Sequence, residues 1–299
     1  MQLLKLSDTV NFMRLRIPAM VLSTVLILGS FVSLGVNSLN WGLDFTGGTL
    51  IEVGYEDAAN LEGIRAQLNE ANFEDAIVQN FGSSQDVLIR IAPRDGVKAV
   101  TIGEQVLAAL RADGTEVDMR RIEFVGPNVG EELTEQGGLA MIFALIMIMI
   151  YIVFRFQWKF SIGAVLALIH DVIITLGIFS FFQFTFDLSV LAAILAVVGY
   201  SLNDTIVIYD RIRENFRSMR AADTIEILNS AITQTIKRTI ITSSTTLLVL
   251  LSLYIFGGSS LEGFSIALIV GVLIGTYSSI FVASTSIFYL DISTTDLIP

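Results

Sequence analysis

The stretch "LSVLAAILAVVGYSLNDTIVIYDRIREN", residues 188–215, opens on apolar ground and closes as a basic segment. Residues 188–203 carry no charge, and a helix needs about 20 mostly apolar residues to cross a bilayer core. Asn203 and Asp204 therefore fall inside a membrane span. A carboxylate in that position costs about 2.5–3.5 kcal/mol on insertion scales. An ionisable residue kept at such a cost is by default a functional one and faces the interior of a helix bundle.

The composition agrees with a membrane reading. Of 299 residues, 53% are hydrophobic and only 16% are charged, against about 25% charged in soluble domains. Cysteine is absent, so disulfides, thiolate metal sites and thiol catalysis are excluded. Apolar runs near 17–36, 137–154, 161–181, 188–208, 239–256 and 263–290 predict six transmembrane helices. The first is read as a retained anchor, since five more follow and no small-residue cleavage signal is evident. The last is overlong, and its "GVLIGTYSS" interior (271–279) predicts tilt or a polar-lined face.

Lysine and arginine set the orientation. With the N-terminus inside, the cytoplasmic segments hold Lys5, Arg14, Arg16, Arg155, Lys159 and the basic residues from Arg211 to Arg238, including Arg220. The outer connections 182–187 and 257–262 hold none. The expected topology is N-in, C-in, with a cytoplasmic loop over 209–238 and a short C-terminal tail, "DISTTDLIP".

Residues 37–136 differ from the rest. They carry 18 acidic against 7 basic residues, whereas the remainder has 11 of each. "DFTGGTLIEVGYE" alternates as a strand, and "AANLEGIRAQLNEANF" places Leu61, Ile64, Leu68 and Ala71 at helical spacing. "AIVQNFGSSQDVLIRIAP" reads as two strands about a turn, "TIGEQVLAALRAD" as a helix and "EVDMRRIEFVG" as a strand. The order βαββαβ predicts one small α+β ferredoxin-like domain, on the periplasmic side, between helices 1 and 2. It has no catalytic constellation. Its acidic surface is a solvated face or a place of contact with a partner.

Within the spans, Asp204 is joined by His170 and Asp171 near the middle of the third run. The fifth begins "QTIKRTIITSSTTLL", where Arg238, Thr242, Thr245 and Thr246 share one helical face. A cation followed by hydroxyls is the surface that a buried carboxylate needs. The fourth offers a matching patch of Gly199, Ser201, Asn203, Asp204 and Thr205, where small residues permit close approach. Lys237 reads as a snorkelling interfacial lysine. Burial favours the protonated form of a carboxyl and an adjacent guanidinium favours the ionised one. A small helix movement between two such settings takes up a proton on one side and releases it on the other. Asp204 and Arg238 are thus the expected coupling pair. Asp171, Asn203, Thr242, Thr245 and His170 are secondary candidates, with Asp171 expected to hydrogen-bond Thr175 or to extend the path.

"NWGLDFTGGT" (40–49), "RIEFVGP" (121–127), "HDVIITLG" (170–177), "GYSLNDTIVIYDRIREN" (199–215) and "QTIKRTIITS" (234–243) together resemble the SecF family. SecF is the smaller subunit of the bacterial SecD–SecF translocation accessory, related to resistance-nodulation-division exporters. The resemblance covers nearly the whole chain. It implies an inner-membrane subunit that uses the proton or sodium motive force to assist late preprotein export. It implies SecD, the SecYEG channel, other Sec accessories, the translocating preprotein and the lipid bilayer as partners, with no nucleic acid and no cofactor beyond the coupling ion. The family's coupling aspartate falls on Asp204 and its arginine on Arg238. The tail and the "SMRAADTIEILN" segment depart from the family by being less basic. An enzyme is not expected: "IYD" (208–210) lacks a second aspartyl-protease segment, and "GYS" with His170 makes no serine-protease dyad. The other reading is a passive structural subunit in which Asp204 only holds helices together.

Overall fold

The computed structural model describes residues 9–94, 98–219 and 221–292. Lys5, Arg220 and most of the tail lie outside them. The described chain divides into a helical unit, Met1–Asn40 with Ala140–Pro299, and a sheet unit, Trp41–Leu139.

The sheet unit follows the short strand β1 (Asn40–Trp41). Its elements are α2 (Leu43–Thr46), β2 (Gly48–Tyr55), α3 (Leu61–Glu70), β3 (Ile77–Phe81), β4 (Ser83–Ile91), α4 (Ala99–Leu110) and β5 (Val117–Val125). The order after α2 is βαββαβ, and the sheet is β3-β4-β2-β5 with every pair antiparallel. Alternation dictates the buried face: Ile51 and Val53 on β2 sit opposite Ile89 and Val87 on β4. Ile64 and Leu68 of α3 and Ile102, Val106 and Leu110 of α4 cover these residues to close the core. Asn60 caps α3 by accepting from the Gly63 amide at 3.2 Å.

The "DFTGG" turn needs its glycines. Gly47 and Gly48 have φ of 65° and 117°, and a Cβ on Gly48 would collide with the Ile91 carbonyl oxygen. That close approach lets β2 enter the sheet beside the last residue of β4. The first turn of the next helix, α5 (Pro127–Arg155), seats on the same corner, where a Cβ on Gly130 would lie 3.0 Å from the Gly47 nitrogen.

The helical unit holds α1 (Arg16–Asn37), α6 (Trp158–Phe182), β6 (Thr185–Phe186), α7 (Leu188–Ser218), α8 (Thr224–Phe256), α9 (Glu262–Ser278) and α10 (Ser284–Tyr289). The helix α5 (Pro127–Arg155) runs into it from the sheet unit. Six helices are long and apolar enough to cross a membrane: Phe12–Asn37, Pro127–Arg155, Trp158–Phe182, Leu188–Ser218, Thr224–Phe256 and Glu262–Tyr289. The last joins α9 to α10 through one π-helical stretch, Ser279–Ala283. Half or more of the apolar stretch is buried in α6, α7 and the sixth span, and much less in the others. The first, second and fifth spans are therefore apolar on surfaces that the described chain leaves open.

Small residues set the close contacts, as expected where water supplies no drive between helices. The buried face of α1 is Ala19, Ser23, Ser30 and Ser33, and Ser33 donates to Ser180 of α6 at 2.9 Å. Asp187 caps α7, accepting from the Val190 amide at 2.8 Å.

The segment 209–238 is not a loop. α7 runs to Ser218, and α8 starts at Thr224 with Asp223 accepting from the Glu226 amide at 2.7 Å. The described charged residues of this segment lie on the open side, while Asn215, Asn229, Ser230 and Thr235 are buried with the apolar ones. Ile212 and Phe216 of α7 pack with Ile227, Leu228, Ala231 and Ile232 of α8, so the helices continue as an apolar hairpin. The residues before α1 are tied to this hairpin. Asn229 accepts from the Met13 amide at 2.8 Å and donates to Asn11 at 3.1 Å, and the Val10 amide donates to Thr233 at 3.0 Å.

Two predictions follow from the sheet unit. Gly48→Ala is expected to destabilise it by about 3 kcal/mol, from a strained positive φ together with the clash at Ile91. Gly82→Ala, with φ of 73° and open space around the new methyl, is expected to cost about 1 kcal/mol. Native-state proteolysis of the full chain in detergent reads both, and equal losses would refute the tight corner. The second concerns Tyr55, whose buried hydroxyl has no hydrogen-bond partner among the described residues. Burial, helped by the Asp113 charge, pushes this phenol up from 10.0 to about 12. The folded state therefore holds the proton more tightly than the unfolded chain. Stability from this group is complete below pH 10 and is lost as pH rises through about 12. Tyr55→Phe is expected to flatten that alkaline slope in thermal melts without loss at pH 7.

Candidate functional site

The polar centre of the helical unit is Asp171 on α6, almost fully buried. Its Oδ2 accepts from Ser201 of α7 at 2.5 Å and from Ser278 of α9 at 2.8 Å. Gly275 makes room for this meeting: a Cβ there would lie 3.0 Å from Ser201 Cβ and 3.5 Å from Asp171 Oδ2. The other oxygen, Oδ1, is 2.8 Å from Nδ1 of His170, and His170 Nε2 is 3.1 Å from Ser23 Oγ on α1. Ser23 in turn lies 3.0 Å from the Tyr277 hydroxyl, which donates to the Ala19 carbonyl at 2.6 Å. Four helices converge on one carboxylate and one imidazole.

Counting donors fixes the protons. Tyr277 has one hydroxyl hydrogen, and it goes to Ala19. Ser23 must then donate to Tyr277, which leaves Ser23 to accept from His170 Nε2–H. The contact between His170 Nδ1 and Asp171 Oδ1 consequently contains a single proton. Whether that proton sits on nitrogen or oxygen, the pair is neutral overall. A buried pair of this kind avoids the several kcal/mol cost of an uncompensated charge.

Asp204 lies three residues beyond Ser201 on α7 and is also buried. Its Oδ2 is enclosed and has no hydrogen-bond partner among the described residues. The next residue, Thr205, is 2.9 Å from Ser279 Oγ, which donates to the Gly275 carbonyl at 2.8 Å. Ser279 opens the π-helical stretch, a helix defect common at functional sites. The hydroxyls near Asp204 thus continue through Ser279 and Gly275 towards the Asp171 cluster.

Arg238 is exposed, and among the described residues no ion pair of 4.0 Å or less joins it to Asp204. Thr242 and Thr245 donate to carbonyls of their own helix, at 3.0 and 2.9 Å, and Asn203 is exposed. The buried hydroxyl beside Arg238 is instead that of Thr239, which has no partner among the described residues. Thr175 does not bond the Asp171 side chain. It donates to the Asp171 backbone carbonyl at 2.8 Å, the usual back-bond of a helical threonine.

Sequence reasoning placed His170 and Asp171 second to Asp204 and did not single out Ser23, Tyr277, Ser278 or Ser279. The one available signal was the crowding of glycine and hydroxyl residues in 271–279.

Comparison with known proteins gives a consistent picture. Residues 105–292 match the family described as "Protein export membrane protein SecD/SecF, C-terminal". Residues 32–59, which contain the Gly47–Gly48 corner, match the "SecD/SecF GG Motif". The protein translocase subunit SecF of Vibrio alginolyticus is 55% identical over 100% of this chain and 95% of its own length. That of Pseudomonas aeruginosa is 54% identical over 97% of this chain and 94% of its own length. The crystal structure of SecDF, a translocon-associated membrane protein from Thermus thermophilus, superposes with a TM-score of 0.87 at 34% identity. It aligns with 96% of this chain, which spans 39% of that longer chain. SecDF in its super-membrane-facing form gives a TM-score of 0.69.

The shared proton makes a sharp prediction. Asp171→Asn can donate from its amide to Nδ1 and accept from both serines, so it is expected to cost under about 1 kcal/mol. Asp171→Leu leaves the imidazole and two hydroxyls unpaired and is expected to cost about 3–5 kcal/mol. Thermal melts of the full chain in detergent check this, and an Asn variant as damaged as the Leu variant would rule out the single-proton arrangement.

Proposed function

The chain belongs to the SecF branch of the SecD/SecF family of protein-export membrane proteins, and we propose that it couples an ion gradient to late preprotein export. In this reading it is an inner-membrane subunit with both termini cytoplasmic and a ferredoxin-like periplasmic domain. It works with a SecD partner and the SecYEG channel. It catalyses no covalent reaction, and its ion is H⁺ or Na⁺.

The observation that carries the reading is Asp204, a carboxyl buried in a span with one oxygen that has no hydrogen-bond partner among the described residues. A group of that kind is costly unless it is used. In this structure Asp204 and Arg238 stand apart, an arrangement that suits a protonated carboxyl. An ionised Asp204 would draw on the Arg238 charge. Alternation between the two settings takes an ion from one side and delivers it to the other. Each elementary charge moved across 100 mV supplies about 2.3 kcal/mol. The Asp171 cluster adjoins this path through Ser201.

The second reading, a passive structural subunit, draws on the same cluster. Asp171 is completely paired, which is what a helix-holding residue requires.

The test expresses Asp204→Asn and Asp171→Asn with the SecD partner. It follows release of an exported reporter from spheroplasts, with the gradient intact and collapsed. Asp204→Asn is expected to assemble normally and to reduce export to the collapsed-gradient level. Gradient-dependent export that persists in Asp204→Asn would favour the structural reading. Loss in Asp171→Asn as well would extend the ion path to the shared proton.

A further inference from the structure

A second polar site lies at the C-terminal end of α7, beyond Asp204. Arg155, the last residue of α5, and Asp210, Arg213, Glu214, Arg217 and Ser218 of α7 line a cavity of about 460 Å³. The guanidiniums of Arg155 and Arg213 lie over the same Phe156 ring, at 5.1 and 5.4 Å from its centroid. That ring holds both side chains in place. Asp210 is shared between them, at 3.1 Å from Arg155 and 3.8 Å from Arg213. Glu214 is engaged by Arg211, at 2.8 Å. Arg217 has no ion pair among the described residues, and the Nε of Arg213 is buried with no hydrogen-bond partner. Three guanidiniums and two carboxylates therefore line the cavity: Asp210 is shared by Arg155 and Arg213, Glu214 is engaged by Arg211, and Arg217 is left without an ion pair among the described residues.

The setting is the edge of the membrane. Arg155 ends an apolar helix whose Phe154 is 88% exposed, and Trp158, three residues on, is 61% exposed. Exposed aromatic rings beside basic residues mark the headgroup level. A planar guanidinium with free N–H groups fits phosphate oxygens. Basic pockets between spans at that depth take anionic headgroups.

We propose that this cavity binds the phosphodiester headgroup of an anionic phospholipid, with Arg213 and Arg217 as donors and Arg155 closing it from α5. The lipid would neutralise the surplus charge and link the end of the second span to the fourth. The site depends on the chain being in a membrane and is independent of ion coupling through Asp204.

The test uses the full chain in neutral detergent, titrated with phosphatidylglycerol and followed by native mass spectrometry and thermal melts. Phosphatidylglycerol is expected to bind and raise the melting temperature, while phosphatidylcholine does neither. Each arginine near a membrane surface is worth about 1 kcal/mol, or about fivefold in affinity. Arg217→Gln is expected to weaken binding by about that factor, and Arg213→Gln with Arg217→Gln by about 25-fold. Arg217 is exposed and unpaired, so its variant folds whatever the role of Arg213 in packing. Arg14→Gln, exposed but outside the cavity, is expected to bind as the parent does. Equal binding of phosphatidylcholine, or unchanged affinity in Arg217→Gln, would overturn the proposal. Stabilisation by soluble glycerol phosphate equal to that by the lipid would also overturn it, since the ligand would then be a free phosphate.

Discussion

The rest of the helical unit depends on how a carboxylate is kept out of water. Asp171 solves this by sharing one proton with His170 and by accepting from two serines on other helices. Hydrogen bonds to charged groups are worth about 1.5–3 kcal/mol each, comparable to the insertion cost they offset. The arrangement works only if the helices come close. Glycine at 275 and serines along α1 are therefore requirements of the electrostatics as much as of packing. Asp204 sits in the same bundle with one oxygen that has no hydrogen-bond partner among the described residues, so the two buried carboxyls differ in how fully their surroundings satisfy them.

Polar residues in this bundle come in two kinds. Thr242, Thr245 and Thr175 bond back to their own helices and carry no information between helices. Ser23 and Ser201 reach across, and Ser278 and Ser279 do so as well as bonding back to the Gly275 carbonyl. A serine in a span is cheap in either use. Only the partner tells which use it serves, and a helical face read from spacing cannot supply the partner.

That difference marks what was legible in the sequence. The six apolar runs, the alternating strands and the cost of Asp204 are local properties, visible within windows of about 20 residues. Asp171 was underrated because its partners are remote. Ser278 is 107 positions away, and Ser23 reaches His170 across 147. The 209–238 segment misled for a related reason. Its charges are on the open side of α7 and α8, and the apolar face that keeps it helical is completed only by pairing the two. Arg238 was picked out by spacing as the partner of Asp204. The spacing described the shared face correctly but said nothing about how far the guanidinium stands from the carboxyl.

The clasp between the residues before α1 and the start of α8 has a consequence for biogenesis. The Met13 amide reaches Asn229 and the Val10 amide reaches Thr233, contacts separated by 216 and 223 positions. At about 5–20 residues per second, the ribosome takes roughly 10–45 s to supply the second half of each pair. During that interval the first span waits in the lipid with its N-terminal segment untied. The span itself can dock earlier on the third, through Ser33 with Ser180 and Ser23 with His170, but the segment before it is tied only once the fifth has begun to emerge. An early truncation product would therefore hold its first span and leave the residues ahead of it unfastened.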